Sequence, residues 1–338
     1  MMLRFGIIGC GAIAHAHAAA IAALPDATLA ACCDCDVVKG RAFAKAAGAV
    51  AFYSDYHELL ASNLDVVTIA TPHFLHATMS IAALQAGKAV LCEKPLAMTP
   101  AEGRAVLAVA AKFPGKYAVI FQNRFAPSLV AAKRLLASGR LGKVTGIKAT
   151  LTWHRDAAYY QAAAWKGQWA TEGGGVLINQ AIHTLDALCF LGGHPRRVRG
   201  QVMTALLAGA VEVEDAAMAT AVLPGGVPAV IFATNDYARD DPATLTFACS
   251  GGELTVTNAG LWLDGVVQEA RTIAVAKDQK AAWGDGHQRL FAAFVHRLTG
   301  EADPLVGYLA GADALVPLTL LNGIYQSSRS GAWVTLTE

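Results

Sequence analysis

The sequence predicts an α/β protein whose first part is a doubly wound parallel sheet. From Leu3 to Phe121, short apolar segments alternate with amphipathic segments that are long enough to form helices. Strands separated by such helices pair in parallel through right-handed crossovers. The first apolar segment also runs into a glycine turn, and the second ends at an acidic residue, Asp34. Both features are typical of a sheet that binds a dinucleotide.

Each apolar run of this part predicts a strand, and each amphipathic run predicts a helix. We predict strands near residues 3–8, 27–33, 65–70, 89–92 and 117–121, and helices near 12–24, 37–47, 55–61, 74–86 and 99–112. The last of these helices has the clearest start, because Thr99 suits the N-cap, Pro100 the first helical position and Glu102 a capping box.

The pattern changes after Arg124. We predict a helix near 127–138, a strand at 143–154, a helix at 172–191, apolar strands over roughly 196–275, and closing helices near 285–298 and 308–329. No repeat or low-complexity linker marks a boundary. The predicted domains, residues 1–122 and 123–338, therefore depend on the change of pattern alone.

Composition narrows the classes of function and location. The formal net charge of the 338 residues is +1, which provides no field for attracting nucleic acid or an anionic membrane, so a small-molecule partner is expected. The seven cysteines lie mostly in apolar runs, which favours a reduced, cytoplasmic protein. No segment is long and apolar enough to span a bilayer.

We predict no metal site. Neither the cysteines at 32, 33 and 35 nor the pair His73 and His76 has enough neighbouring ligands to bind a metal ion.

The segment FGIIGCGAIA carries the first chemical motif. Gly9 permits a tight turn, and Gly11 allows the backbone to approach a pyrophosphate. The helix that starts at Ala12 and Ile13 offers N–H groups and the positive end of its dipole to that anion. We therefore predict a dinucleotide site here.

Asp34 follows Ala14 by about twenty residues, at the end of the second strand. Its carboxylate can accept hydrogen bonds from ribose hydroxyls and would repel a 2′-phosphate, which favours NAD. Lys39 and Arg41 could instead bind such a phosphate, so NADP stays an alternative.

Two further motifs predict the catalytic residues. Lys94 follows the strand 89–92, and the carboxyl ends of parallel strands line the ligand crevice. In EGGGVLINQAIHTLD, Asn179, His183 and Asp186 stand at intervals of four and three residues, which places them on one face of a helix. We predict that His183 removes a hydroxyl proton while Lys94 stabilises the developing alkoxide, that Asn179 holds a neighbouring hydroxyl, and that Asp186 orients the imidazole.

Aromatic and cationic residues between these motifs predict the substrate-binding segment. In a chain with 8% aromatic residues, this stretch concentrates Trp153, His154, Arg155, Tyr159, Tyr160, Trp165, Lys166 and Trp169. Flat rings and polar donors suit a pyranose, although an interface or a core anchor is an equally good interpretation of any one of them. Arg124 lies just beyond the last predicted strand of the parallel sheet and could also reach the substrate, and an anionic sugar would explain several of the cations.

These motifs also carry a resemblance to a known family. Gly9-Cys10-Gly11, ATPHFLH, EKP, FQNRF and GGGVLINQAIHTLD occur in the order typical of the Gfo/Idh/MocA oxidoreductases, over nearly the whole chain. The resemblance implies an N-terminal Rossmann domain and a C-terminal α/β domain with a large, mostly antiparallel open sheet. It also implies a homodimer or homotetramer formed through that sheet, with the option that the last helix packs back on the Rossmann domain.

The resemblance assigns roles to individual positions. Lys94, in EKP with Glu93, would contact both the nicotinamide ribose and the substrate. The Asp and His usual on the glycine-led helix fall on Asn179 and His183, so the amide is a departure from the commoner acid. The loop beside the nicotinamide ribose falls on Thr71, Pro72 and His76.

We therefore expect an NAD(P)-dependent dehydrogenase or reductase that acts on a ring hydroxyl or ketone of a sugar, sugar acid or cyclitol. Two alternatives are a reductase of non-sugar ketones or a dihydrodiol dehydrogenase, and a cofactor-binding sensor without turnover.

Overall fold

The structure, a computed structural model, describes residues 2–270 and 285–337. Contacts divide them into two compact units. The first comprises the described parts of Met1–Ala97, Ala101–Phe125 and Ala276–Asp313, and the second those of Met98–Pro100, Ala126–Val275 and Ala314–Glu338. The first unit thus includes a segment from late in the chain. The domain limits 1–122 and 123–338 remain a prediction.

The described residues of the first unit form a six-stranded parallel sheet. Its elements are β1 Leu3–Ile8, α1 Ala12–Ala22, β2 Ala27–Cys33, α2 Val37–Ala47, β3 Ala51–Tyr53, α3 Tyr56–Ala61, β4 Val66–Ile69, α4 His73–Gln85, β5 Ala89–Glu93, α5 Pro100–Ala110 and β6 Tyr117–Ile120. The strand order is β3-β2-β1-β4-β5-β6, so the winding reverses between β1 and β4, as in dinucleotide-binding folds. The doubly wound sheet is confirmed. The sequence prediction missed only the short edge strand β3.

The described residues of the second unit form a nine-stranded mixed sheet. The remaining elements of the chain are α6 Pro127–Ala137, β7 Val144–Thr152, α7 Ala157–Gln161, α8 Val176–Asn179, α9 Ile182–Gly192, β8 Arg197–Met203, β9 Ala216–Val222, β10 Pro228–Thr234, β11 Thr244–Cys249, β12 Gly252–Thr257, β13 Gly260–Leu263, β14 Val266–Ala270, α10 Gly286–Thr299, α11 Leu315–Ser330 and β15 Val334–Thr335. The order is β14-β13-β12-β11-β7-β10-β9-β8-β15. β7 and β10 pair in parallel and the other neighbours are antiparallel, which confirms the expected mostly antiparallel sheet.

One face of this sheet packs against helices. α6, α9 and α11 contact its strands, and on β7 the inward side chains Ile147, Ala149 and Leu151 are buried while Lys148 is exposed. This alternation is the pattern of a sheet covered on one side. The part of the predicted strand region that covers 271–275 lies outside the described residues.

The helix α10 completes the core of the first unit. Leu290, Phe291 and Phe294 are fully buried in one apolar cluster with Phe5 and Ile21, and the rings of Phe5 and Phe291 stack with centroids 6.2 Å apart. This helix therefore packs with the parallel sheet, although it lies far from it in sequence.

The single helix predicted at 172–191 is wrong. Gly173 and Gly174 have φ values of +82° and +151°, which no right-handed helix contains, so α8 begins only after them. The helix is interrupted again where the N–H of Ala181 bonds to the carbonyl of Val176, five residues back. Such a wide turn adds a residue to the helical repeat, and Asn179 and His183 consequently belong to two short helices.

The last helix begins later than predicted. Residues Val306–Tyr308 and Ala312–Ala314 form 3₁₀ turns, and α11 starts only at Leu315. Gly307 and Gly311 fall in this stretch, and glycine weakens a helix. Among the described residues, no helix has the length and apolar character needed to cross a membrane.

Candidate active site

The glycine turn after β1 has the geometry that an anion-binding loop needs. Gly9 has φ +92°, and a Cβ built on it would lie 2.6 Å from the carbonyl oxygen of Ala70, so no side chain fits there. A Cβ on Gly11 would meet no described atom within 4 Å, and no described side chain caps the first turn of α1. The N–H groups that begin at Ala12 and Ile13 therefore suit the pyrophosphate of a dinucleotide.

Asp34 lies at the carboxyl end of β2 and fixes this turn. Its Oδ2 accepts the N–H of Cys10 at 2.8 Å and pairs with Lys39 Nζ at 2.9 Å. Burial alone would raise the pKa of Asp34, but the hydrogen bonds from Lys39 and from two backbone N–H groups outweigh it and lower the pKa. Asp34 is thus held as a carboxylate. Lys39, which the alternative of NADP would require to bind a 2′-phosphate, lies against Asp34, and Arg41 stacks on Phe52.

His76 connects the loops that follow β4 and β5. Its ring is fully buried, with Nδ1 2.7 Å from the carbonyl oxygen of Pro95 and Nε2 2.9 Å from that of Thr71. Burial is the main reason that the pKa of His76 is lowered. In a neutral imidazole only one nitrogen donates. His76 therefore donates to one of the two carbonyls, and its buried ring lies between the predicted cofactor loop of Thr71 and Pro72 and the Lys94-Pro95 turn.

Glu93 forms a buried network below Lys94 that sequence reasoning missed. His17 Nε2 lies 2.9 Å and His287 Nε2 3.7 Å from its Oε1, and the N–H of Lys94 donates to its Oε2 at 3.2 Å. Burial opposes ionisation of Glu93, but the two imidazoles outweigh it and hold its pKa well below the usual value. The carboxylate therefore fixes the backbone at Lys94. His287 lies on α10, far away in sequence, and no local signal connects it to Glu93.

In the second unit, Asn179 ends α8 and His183 lies in the first turn of α9. Both side chains are partly exposed, whereas Asp186 is buried. Asn179 Nδ2 donates to Oε1 of Glu172, a carboxylate with no exposed surface, whose Oε2 accepts the N–H of Gly167. Glu172 is the first residue of the segment EGGGVLINQAIHTLD, and the sequence pattern predicts no role for it.

A second buried carboxylate holds the start of α8. Glu214 accepts the N–H of Gly175 at 2.8 Å, the N–H of Leu177 at 3.0 Å and the hydroxyl of Tyr325 at 2.8 Å. Burial nevertheless raises its pKa to about 7. Glu214 therefore fixes the helix that carries Asn179.

Most of the residues predicted to bind substrate lie in the second unit, in two groups that share Tyr159. Tyr159 accepts from Gln180 Nε2 at 3.1 Å, and Asn235 Nδ2 bridges Tyr160 and Gln180 at 2.8 and 3.2 Å. Tyr159 thus contacts Gln180, the residue next to Asn179, and Tyr160 is linked to Gln180 through Asn235. Their phenol pKa values are raised, first by burial.

The second group surrounds Arg155. Its guanidinium pairs with Asp240 at 2.8 Å and lies 4.8 Å from the ring centre of Trp153 and 5.2 Å from that of Tyr159. Lys166 Nζ lies 3.7 Å from the ring centre of Tyr159. These aromatic and cationic side chains therefore form one cluster.

Two other predicted residues make different contacts. Arg124 belongs to the first unit, where its buried guanidinium pairs with Asp313 at 2.5 Å. The carbonyl of Trp165 accepts the hydroxyl of Thr171 at 2.7 Å. Nothing in these contacts tests binding, so the substrate roles of all these residues remain predictions.

Comparisons with known proteins agree with this geometry. Residues 3–121 match the family described as "Oxidoreductase family, NAD-binding Rossmann fold", and residues 129–255 match the Gfo/Idh/MocA C-terminal domain. A WlbA dehydrogenase from Bordetella pertussis, crystallised with NADH and UDP-GlcNAcA, is 29% identical and superposes with a TM-score of 0.86 over 100% of both chains.

Two curated relatives show how far the sequence similarity extends. The D-apiose dehydrogenase of Paraburkholderia graminis is 29% identical over 98% of this chain and 88% of its own length. The inositol 2-dehydrogenase of Rhizobium meliloti is 33% identical over 57% of this chain, and the match covers 56% of that enzyme. The chain thus spans only about half the length of several of its curated relatives. The two family matches together include more than two thirds of the 338 residues, and the chain belongs to the Gfo/Idh/MocA family of oxidoreductases.

Proposed function

We propose that this protein is an NAD-dependent dehydrogenase that oxidises a ring hydroxyl of a sugar, sugar acid or cyclitol, or reduces the corresponding ketone. The observation that carries the proposal is the combination of an anion-binding glycine turn and Asp34 in the first unit with His183 and an Asn179 held by buried Glu172 in the second. Relatives named as inositol and D-apiose dehydrogenases support the substrate class.

We assign the reaction to Lys94 and His183. Bound NAD would supply the hydride acceptor. The imidazole of His183 removes the hydroxyl proton, because an imidazole exchanges protons near neutral pH. The ammonium of Lys94 stabilises the negative charge that develops on the same oxygen. Asn179 binds a neighbouring hydroxyl. Retention of both the base and the cation favours an enzyme over a sensor.

The cofactor preference follows from Asp34. A buried carboxylate that ends β2 would accept ribose hydroxyls and repel a 2′-phosphate. Lys39, a cation that could bind such a phosphate, is already paired with Asp34 at 2.9 Å. We therefore propose NAD rather than NADP.

A substrate panel tests the function. Purified protein is mixed with NAD and with monosaccharides, uronates, inositols or a nucleotide-linked uronate, and the absorbance of reduced nicotinamide is followed. Turnover of one carbohydrate class is expected. Turnover of dihydrodiols alone would replace the sugar assignment, and cofactor binding without any absorbance change would support a sensor.

We further propose a homo-oligomer formed through the open face of the nine-stranded sheet. Met218 and Phe232 are cross-strand neighbours that are 47% and 38% exposed, and Val230 is 54% exposed. An apolar face of this kind is commonly covered by another subunit. Light scattering should show a dimer or tetramer, and Phe232→Lys should dissociate it while Val50→Lys, at a solvent-exposed position of the first unit, should not. A monomeric wild type would contradict the proposal.

A cytoplasmic location is the remaining proposal. It is supported by the cysteines, since none of the seven forms a disulfide in the described residues. Cell fractionation with an antibody against the protein tests it.

A further inference from the structure

The contact between Glu172 and Asn179 determines which atom Asn179 can present. Glu172 has no exposed surface, and its two carboxylate oxygens accept from Asn179 Nδ2 and from the N–H of Gly167. A backbone N–H can only donate, so at least one oxygen of Glu172 must act as an acceptor there. An ionised carboxylate is an acceptor at both oxygens. The structure accordingly places the NH₂ group of Asn179 against Oε1 of Glu172.

The amide orientation follows from this contact. Asparagine carries its donor and its acceptor on opposite sides of one planar group. With Nδ2 directed at Glu172, Oδ1 points the other way, on a side chain that is partly exposed. The negative charge behind the NH₂ group also polarises the amide and makes Oδ1 a stronger acceptor.

We infer that Glu172 is a positioning residue for substrate recognition, which fixes Asn179 with its carbonyl oxygen toward the sugar. Glu172 then carries the negative charge, and Oδ1 of Asn179 accepts the hydrogen bond from the sugar. This inference rests on the proposed function. It makes the substrate group at Asn179 a hydrogen-bond donor, namely a hydroxyl of the sugar, and not a carboxylate or phosphate oxygen.

Several titratable groups surround the pair. The negative charge of Glu172 contributes to the raised phenol pKa values of Tyr159, Tyr160 and Tyr325, after burial in each case. Glu214 contacts Tyr325, and Lys166 and Arg155 contact Tyr159. The phenols stay neutral near pH 7 because their pKa values are raised, and Glu214, whose pKa burial raises to about 7, is a neighbouring acid that titrates in that range.

A four-member cycle of variants tests the inference. In Glu172→Gln, the single oxygen of glutamine stays with Gly167, so its NH₂ group faces residue 179. Asn179 must then flip and offer NH₂ to the sugar hydroxyl, and we expect kcat/KM to fall about tenfold or more. In Asn179→Asp, two carboxylates face each other and share a proton, so kcat/KM should fall and its pH profile should gain an ionisation. The double variant restores a donor facing a carboxylate, and it should recover to within a few-fold of wild type.

The controls separate positioning from folding. Glu58→Gln changes an exposed glutamate on α3 and should leave kcat/KM unchanged. All four proteins should bind NADH with a Kd within about twofold, and the melting temperature should show that Asn179→Asp destabilises the wild-type background more than the Glu172→Gln background.

Each outcome decides the matter. Wild-type kcat/KM in Glu172→Gln would overturn the inference. It would also be overturned if the effects of the two substitutions on the melting temperature were not additive while kcat/KM of the double variant was not restored, because the contact would then be structural only. If the wild type turns over no sugar, the proposed function fails. The Kd for sugar of the four proteins is then measured by calorimetry, and we expect the wild type and the double variant to bind sugar more tightly than either single variant. Absence of that order overturns the inference as well.

Discussion

Glu214 should make the stability of the second unit fall as pH rises. Its side chain is 2% exposed, and burial raises its pKa from 4.5 to about 7 despite three hydrogen-bond donors. Because the folded pKa lies above the unfolded one, the stabilising contribution is complete below pH 4.5 and is lost as pH rises through about 7.

The size of this effect follows from the two pKa values. Each tenfold difference in proton affinity corresponds to about 1.4 kcal/mol. Ionised Glu214 therefore costs about 3 kcal/mol of folding free energy at pH 8, and about 2 to 3 kcal/mol of that cost arises between pH 5 and pH 8.

Urea unfolding followed by circular dichroism at pH 5, 6, 7 and 8 measures the effect. Glu214→Gln cannot ionise, so the difference in unfolding free energy between wild type and this variant should change by about 2 to 3 kcal/mol over this range. Other titrating groups cancel in the difference. Tyr325→Phe removes one donor to the carboxylate and should steepen the pH dependence. A difference that stays constant with pH would refute the assignment of a raised pKa to Glu214.

Four further substitutions test the rest of the site and its support. Lys94→Ala and His183→Ala should each lower kcat about a hundredfold or more and leave the Kd of NADH within a few-fold; wild-type kcat in either variant would remove that residue from the mechanism. Asp34→Ala should raise the ratio of kcat/KM for NADP to that for NAD about tenfold or more, because it removes the carboxylate that repels a 2′-phosphate, and an unchanged ratio would show that another residue reads the ribose. Gly175→Ala should destabilise the protein by more than about 2 kcal/mol in urea, because its Cβ would lie 1.8 Å from a backbone carbonyl oxygen. Gly307→Ala, whose methyl would meet no described atom within 4 Å, is the control, and equal stability of the two variants would contradict the argument.

The parallel sheet could be predicted because its signals are local. Hydrophobic periodicity marks each long element, and Gly9 and Asp34 stand at fixed distances from the first strand. The edge strand Ala51–Tyr53 was missed because three residues are too few to show a period.

The supports of the site could not be predicted, because they depend on contacts distant in sequence. In the sequence, Glu172 and Glu214 have no feature that distinguishes them from exposed glutamates. Only the folded chain shows that both are buried and contact the two ends of α8. The wide turn at Ala181 was also hidden, since residues 176–191 keep a helical pattern of apolar side chains on both sides of it. His287 reaches Glu93 from a helix almost two hundred residues away, and a single sequence carries no sign of such a pairing.

The discontinuous core of the first unit constrains how such a protein can recombine with its relatives. Phe291 and Phe294 pack into the same cluster as Phe5, so a crossover near Phe125 would combine the sheet of one parent with the α10 of the other. In a close-packed core, a change in the size of one large side chain is tolerated only if its neighbours change to fill the same volume. Exchange of the nucleotide-binding half between family members therefore requires three crossovers, one near Phe125 and one on each side of α10, or a matched repacking of the aromatic residues of α10.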